Sequence, residues 1–290
     1  MWVRRCGPMV VCLLLGVLCA SAPSCGRSDE PEPRARKGAP RADATTEATP
    51  TPYDTGEFEQ LAADRTIILH CGNSMRPAAE VLAAAFQKTH GIGVQFNFGG
   101  SSELIASLEL GQKGDLYMPH DPYASMLDEK GLLERYEVVG YLEPVIVVPP
   151  GNPDGIRSLR DLATRPLKVG LPDARYATSG KLAMAAFEQM GLAEQVRANI
   201  GMEGRSNNDV AVAVVHGHVQ AGMVWNFLAR YYEGRLEAVA PGVEFPETRV
   251  TLCLLKSAQD REAAEMFMRF ASSERAKQVF RDMGYLKSPR

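Results

Sequence analysis

The sequence predicts an α/β protein with two lobes, a double-stranded hinge and a central cleft. Apolar strands and amphipathic helices alternate in two series, over residues 66–130 and 158–239, and such alternation indicates parallel sheets covered by helices. Two long β-rich segments, 137–150 and 249–256, are predicted to connect the lobes as the hinge. The helices that close the chain have no sheet of their own, so we expect them to return to the first lobe.

Three predicted strands in the first series are each followed by a helix. Pro77 fits the first turn of a helix, where its missing N–H costs nothing, and Gly91 is a typical helix end. The apolar residues between them recur at helical spacing. The predicted strands are 66–70, 94–98 and 115–118, and the helices begin near residues 77, 101 and 122.

The second series has the same order but longer polar loops. Loops at 171–178 and 203–208 are each predicted to lead into a helix. The predicted strands are 168–170, 221–225 and 236–239, and the helices are 158–163, 181–190 and 209–215, with 261–271 and 273–281 closing the chain. The lobes are therefore predicted to comprise residues 64–143 with 246–290, and residues 144–245.

The most informative stretch is the end of the second strand, Phe98-Gly99-Gly100-Ser101-Ser102. Two glycines permit a sharp turn and a close approach of the backbone to a ligand. The serines fall at a helix N-terminus, where free N–H groups and the helix dipole favour an anion. The sequence predicts an anion cradle here. The alternative is an ordinary turn with a serine cap.

The first 25 residues are predicted to be a secretion signal. Arg4 and Arg5 precede an apolar run, 9–18, that is too short to span a membrane. The tetrapeptide at 22–25, Ala-Pro-Ser-Cys, resembles a bacterial lipobox, which would make Cys25 the lipidated residue of a lipoprotein; the alternative is a soluble periplasmic protein with a free thiol. Residues 26–63 are rich in Pro, Arg, Ala, Thr and Glu, and are predicted to form a disordered tether.

Composition narrows the function classes. The formal charge of −3 favours neither nucleic acid nor an acidic membrane surface. We expect no cofactor, a monomer, and membrane attachment only through the lipid. Two cysteines, Cys71 and Cys253, lie beyond the leader in the same predicted lobe, so a disulfide between them is possible in an exported protein.

Taken together, the motifs resemble the bacterial periplasmic molybdate-binding proteins, the substrate receptors of ABC importers, which have the type II periplasmic binding protein fold. The resemblance covers most of residues 66–287. The segments that carry it are Asn73-Ser74, Phe98 to Leu104, Gly114 to Tyr117, Val145 to Pro149, Ser179-Gly180, Ala221 to Trp225 and Phe280 to Tyr285.

The resemblance implies that a tetrahedral oxyanion, molybdate or tungstate, is held in the cleft by neutral donors and passed to an inner-membrane ABC permease. Serine hydroxyls, backbone N–H groups at helix N-termini and one tyrosine serve as donors in that family. The implied ligand-binding residues are Asn73, Ser74, Ser101, Ser102, Ser179, Asn207 and Trp225. Trp225 stands at the tyrosine position, and this departure leaves the identity of the anion open, because indole donates one N–H in a different geometry.

Other functions are also weighed. His70, His120 and Asp121 follow strands of one lobe, and His216 and His218 form a second cluster, but neither has the spacing of a zinc site. No nucleophile elbow, HExxH or phosphate-loop motif is present, so an enzyme is not predicted. The alternatives that remain are a receptor for an organic anion or a metal ion, and a sensor module that reports its ligand to a membrane kinase.

Overall fold

The computed structural model describes residues 65–286. The predicted signal peptide, tether and lipidation site at Cys25 lie outside this range. Over the described residues, none of the helices combines the length and the apolar character needed to cross a membrane.

The described residues form ten strands, ten α-helices and one 3₁₀ turn, Asn73–Met75, which precedes the first α-helix. The strands and α-helices are named in chain order. The strands are β1 Arg65–Gly72, β2 Ile92–Gly99, β3 Leu116–Met118, β4 Leu133–Leu142, β5 Pro144–Val148, β6 Val169–Pro172, β7 Ile200–Gly204, β8 Ala221–Trp225, β9 Glu237–Val239 and β10 Thr248–Leu255. The helices are α1 Arg76–His90, α2 Ser101–Glu109, α3 Tyr123–Glu129, α4 Leu159–Thr164, α5 Thr178–Gln189, α6 Ala193–Asn199, α7 Asn207–Val215, α8 Phe227–Tyr231, α9 Arg261–Ala271 and α10 Glu274–Asp282.

The strands form two five-stranded sheets with the same plan. The first sheet has the order β2-β1-β3-β10-β4 and the second the order β7-β6-β8-β5-β9. Three strands of each sheet are parallel, and β10 and β5 pair antiparallel with them. The chain passes between the sheets at Glu143 and again over residues 240–247. The predicted two-lobed α/β fold with a double-stranded hinge is confirmed.

The closing helices return to the first sheet, as predicted. Phe267 of α9 makes an edge-to-face contact with Phe86 of α1, with ring centroids 5.0 Å apart. Phe280 of α10 packs edge-on against Tyr285, which follows that helix. These aromatic residues are almost fully buried. Hydrophobic burial therefore joins the end of the described chain to its beginning.

The second sheet departs from the sequence prediction in several elements. Helix α5 begins at Thr178 rather than Lys181, and α7 begins at Asn207 rather than Asp209. Gly180 looks like a loop residue but lies inside α5, because a Cβ there would stand 2.0 Å from the carbonyl oxygen of Pro172. Only glycine lets the helix pack this closely on β6. Three short elements, α6, β7 and α8, were not predicted.

The two cysteines are both free and buried. Cys71 lies on β1 and Cys253 on β10, and β3 separates these strands. Adjacent strands are about 4.8 Å apart, so the two cysteines are separated by about 10 Å. A disulfide requires Cα atoms within about 7 Å. The possible bridge is therefore excluded by the position of β3.

Candidate functional site

A small cavity of about 70 Å³ lies between the ends of the two sheets. Its walls are built from the turn before α1 and from the N-terminal ends of α2, α5 and α7. The polar and aromatic lining residues are Asn73, Ser74, Ser101, His120, Tyr123, Tyr176, Thr178, Arg205, Ser206, Asn207 and Trp225. The N-cap residues of α2 and α5, Gly100 and Ala177, make no side-chain hydrogen bond, and at α2 the carboxylate of Glu103 accepts only from the N–H of Gly100, at 3.3 Å. Their first N–H groups and dipoles therefore favour an anion.

Two tyrosines hold the wall on the side of the first sheet. The hydroxyl of Tyr117 donates to the carbonyl of Ser101 at 3.0 Å, and that of Tyr285 donates to the carbonyl of Ser74 at 2.5 Å. Burial raises the pKa of both phenols, which keeps them neutral donors. Within residues 65–286, the hydroxyls of Ser74 and Ser101 have no hydrogen-bond partner. Both serines therefore have a fixed backbone and a free donor.

Gly72, at the end of β1, brings the two serine segments together. A Cβ at this position would stand 2.5 Å from Cε of Met75 and 3.1 Å from Oγ of Ser101. The absence of a side chain allows the end of the strand to lie directly against the first turn of α2. The sequence motif Gly72-Asn73-Ser74 is thus explained by close packing at the site.

Asn207 organises the wall on the side of the second sheet. Its Oδ1 accepts hydrogen bonds from Oγ of Ser179 at 2.7 Å and from the backbone N–H of Trp225 at 3.2 Å. A backbone N–H can only donate, so this pair of contacts fixes the orientation of the amide. The side-chain NH₂ of Asn207 has no partner among residues 65–286 and remains available as a donor at the cavity.

Arg205 places a cation at the mouth of the cavity. Its guanidinium lies over the ring of Tyr176, 4.9 Å from the centroid, and 3.8 Å from the carboxylate of Glu103 on α2. Glu103 lies on α2, which follows β2 of the first sheet, and Arg205 follows β7 of the second sheet. This ion pair therefore bridges the cleft. Both side chains are largely exposed, and their attraction is weak and screened by salt.

His120 lines the cavity and is 6% exposed. Its ring makes edge-to-face contacts with Tyr123 and with Trp225, with centroids 5.4 and 5.5 Å apart. Nδ1 lies 2.7 Å from the carbonyl oxygen of Asp121. Burial lowers the pKa of His120, because a buried imidazolium loses its hydration.

The cavity contains most, but not all, of the residues predicted from the sequence. Asn73, Ser74, Ser101, Asn207 and Trp225 line it. Ser102 instead shares a hydrogen bond with the hydroxyl of Tyr123 at 3.1 Å. The hydroxyl of Ser179 is occupied by Asn207, although its N–H belongs to the uncapped first turn of α5.

Sequence reasoning missed Arg205 and the role of His120 in this cavity. Arg205 stood in a predicted polar loop with no signal that separated it from other surface arginines. His120 was grouped with His70, but Nε2 of His70 lies 3.0 Å from the carbonyl of Lys113, before β3, and His70 does not line the cavity. Over residues 65–286, no group of three His, Cys, Asp or Glu side chains is arranged to hold a metal ion.

A larger cavity of about 410 Å³ adjoins the small one. The two share Asn73, Ser74, Ser206 and Asn207. Beyond these residues the larger cavity is lined by both charged and apolar side chains, which are Arg76, Pro77, Glu80, Val81, Asn208, Phe227, Leu228, Tyr231 and Met283.

The family model described as bacterial extracellular solute-binding protein matches residues 67–286. The chain belongs to this family. It is therefore a solute-binding protein rather than an enzyme, and the resemblance found in the sequence is confirmed at the level of the family.

Curated relatives of this solute-binding protein include two from different bacterial groups. It is 24% identical over 230 residues to a putative binding protein of Haemophilus influenzae, with 79% of this chain and 93% of the relative covered. It is 25% identical over 231 residues to the molybdate-binding protein ModA of Mycobacterium bovis, with 77% and 85% covered.

Solved structures with the same fold are named for different ligands. The Azotobacter vinelandii periplasmic molybdate-binding protein is 18% identical with a TM-score of 0.63, covering 77% of this chain and all of that one (100%). The sulfate-binding protein SubI of Mycobacterium tuberculosis is 17% identical with a TM-score of 0.67, covering 76% and 86%. Iron-bound HitA of Pseudomonas aeruginosa is 21% identical with a TM-score of 0.61, covering 74% and 83%. These likenesses concern the fold alone.

Proposed function

We propose that this protein is the extracytoplasmic substrate-binding protein of an ABC importer and that its small cavity binds a tetrahedral oxyanion, with molybdate or tungstate as the first choice. One observation carries the proposal. The N-termini of α2 and α5, the start of α7 and the turn before α1 meet at a single cavity that also holds free hydroxyl and amide donors.

The size and the charge of the cavity suit such a ligand. Its volume of about 70 Å³ is several times the roughly 10–15 Å³ that a cavity needs to hold one water, so it accommodates a compact anion. Removing a dianion from water is costly unless every oxygen gains donors. Serine hydroxyls, the amide of Asn207 and helix N–H groups supply them without a formal charge, and Arg205 adds a cation at the mouth.

In this proposal the two lobes, residues 64–143 with 246–290 and residues 144–245, close on the anion by a hinge motion. The chain is secreted and tethered through Cys25 to a membrane, and it delivers the anion to the permease. The ModA relative and the molybdate-binding structural neighbour support molybdate as the first anion to test.

A thermal-shift panel tests the ligand. Molybdate, tungstate, sulfate, phosphate and divalent cations are each added to the protein over a range of concentrations. A ligand that binds only the native state raises the unfolding midpoint according to the ratio of its concentration to Kd. We expect a shift with a tetrahedral oxyanion. A shift with divalent cations alone, or with none of the panel, would contradict the proposal.

A small organic anion is a second candidate, and the adjoining cavity of about 410 Å³ favours it. The anionic head would occupy the small cavity and the organic part the larger one, past Ser74 and Asn207. Competition between inorganic phosphate and a phosphate monoester distinguishes the two. In a Val81→Phe variant, which reduces the larger cavity, an organic ligand loses affinity whereas a bare oxyanion does not.

The partner is tested in cells. A substrate receptor of an importer is required for uptake of its anion from low concentrations. A module that reports to a membrane kinase is required for a transcriptional response but not for uptake. Deletion of the gene, followed by measurement of anion uptake and of the response separately, decides between the permease and the kinase.

A further inference from the structure

His120 lines the small cavity and presents an unpaired acceptor atom to it. A backbone carbonyl can only accept, so the 2.7 Å contact with Asp121 requires the proton of the neutral ring to sit on Nδ1. Nε2 then carries a lone pair. Within residues 65–286, Nε2 has no hydrogen-bond partner.

Nε2 also remains in contact with open space. The enclosed side-chain atoms without partners in the described chain include Nδ1 of His70 but no atom of His120. Since His120 is 6% exposed and lines the small cavity, the open space that its ring meets is the cavity. A ligand in the cavity is therefore within reach of this lone pair.

The groups around His120 do not supply a proton of their own. The carboxylate of Asp121 is paired with Arg249 of β10, with Nε and Oδ2 2.8 Å apart. Tyr123 faces the ring from α3, and Trp225 faces it from β8. Across the cavity, Tyr176 and Arg205 complete the titratable or charged groups of the lining. Burial keeps the pKa of the ring low in the empty cleft.

A fully deprotonated oxyanion presents only lone pairs. Placed against a neutral Nε2 it meets a second lone pair, which is repulsive in a desolvated site. One added proton removes the conflict. Hydrogen phosphate carries such a proton on its own oxygen at neutral pH, whereas molybdate, tungstate and sulfate do not.

We propose that the cavity binds its anion together with one proton, held between Nε2 of His120 and an anion oxygen. This inference rests on the proposed oxyanion function. When the ligand is hydrogen phosphate, the ligand brings the proton, and its hydroxyl group donates a hydrogen bond to Nε2. When the ligand is molybdate, the ring takes a proton from the buffer and becomes an imidazolium that donates to the anion. His120 thus determines specificity by favouring hydrogen-bearing oxyanions as the pH rises.

Titration calorimetry of the full chain tests the proposal. Molybdate and phosphate are titrated between pH 7.5 and 8.5 in two buffers of different ionisation enthalpy, which gives the number of protons exchanged. We expect close to one proton taken up per molybdate and an affinity that falls about tenfold per pH unit. Phosphate should take up no proton in this range, and its affinity should not fall as the pH rises.

The outcomes separate the two proposals. Molybdate binding without proton uptake and with constant affinity overturns the role of His120 but leaves the solute-binding function intact. Binding of neither anion overturns both. Binding of phosphate alone, without proton uptake, supports the role of His120 as the extreme case of the same preference.

A matched pair of variants assigns the proton. In His120→Gln the amide supplies a donor or an acceptor without titrating. The proton uptake that accompanies molybdate binding should therefore vanish, and the affinity for molybdate should become independent of pH. His218→Gln, on the exposed segment after α7, should keep the native proton uptake. If His120→Gln does not fold, the proton count on the native chain still decides.

Discussion

The two walls of the cleft provide donors by different means. On the side of the first sheet, Ser74 and Ser101 keep free hydroxyls, and buried tyrosines hold their carbonyls. On the side of the second sheet, the hydroxyl of Ser179 donates to Oδ1 of Asn207, and the free donor is the side-chain NH₂ of Asn207. The first wall fixes the backbone and frees the side chains. The second wall uses one side chain to fix another, so a change there affects binding and stability together.

Gly180→Ala should have the largest effect. The new Cβ would lie 2.0 Å from the carbonyl oxygen of Pro172. Because that oxygen belongs to the backbone, the clash can be relieved only if α5 moves. Overpacking of this kind costs about 1–3 kcal/mol or more. We expect a lower free energy of unfolding in urea and weaker anion binding, because the N-terminus of α5 shifts. Native stability together with native affinity would show that α5 does not need this close contact.

Asn207→Ala should come next. It removes the cavity amide and leaves Oγ of Ser179 and the N–H of Trp225 without their acceptor. Each unsatisfied buried group costs about 1–3 kcal/mol. We expect both anion affinity and urea stability to fall. A loss confined to affinity would mean that Asn207 does not support the second wall.

The pair Ser101→Ala and Ser179→Ala compares the walls directly. Ser101→Ala should weaken anion binding by about 1–3 kcal/mol with little change in unfolding, since its hydroxyl has no protein partner. Ser179→Ala should lower the free energy of unfolding by about 1 kcal/mol and should weaken anion binding less than Ser101→Ala does. Calorimetry and urea denaturation measure the two effects.

Ser102→Ala is the control for that pair. Ser101, the preceding residue, lines the cavity, whereas the hydroxyl of Ser102 shares a hydrogen bond with the hydroxyl of Tyr123. Anion affinity should stay native in this variant. If Ser102→Ala and Ser101→Ala weaken binding equally, the distinction between the two serines is wrong.

The last prediction concerns the pH dependence of stability and involves histidines of the first lobe. Burial lowers the pKa of both His70 and His120. The folded chain keeps them neutral, whereas the unfolded chain protonates them below about pH 6.5. Stability should therefore be constant above that value and fall below it, by up to about 1.4 kcal/mol per pH unit for each histidine. Urea midpoints between pH 8 and 5 measure this, and His120→Gln should make the curve less steep, because the contribution of His70 remains.

The sequence was sufficient for the parts of the molecule where local rules agree with the fold. Pro77 and Gly91 bound α1 as predicted, and the Gly99-Gly100-Ser101 turn lies at the cavity. Prediction failed where packing overrides local preference. Gly180 lies inside a helix because of a contact with β6, and Ser179 faces Asn207, 28 residues away along the chain.

The donor and acceptor roles of the site also needed the structure. Which hydroxyls are free, and which nitrogen of His120 carries the proton, depends on contacts between residues such as Tyr117, Tyr285 and Asp121. These contacts leave no periodic pattern in the sequence.

The hydrogen bond from Tyr285 to Ser74 links residues that are 211 positions apart. Strand β10 likewise enters the middle of the first sheet, between β3 and β4. A chain that emerges from its N-terminus first therefore cannot complete this wall until residue 285 has emerged. An incomplete chain lacks the hydrogen bond that holds the carbonyl of Ser74, so under the proposed function we expect ligand to stabilise the finished chain most.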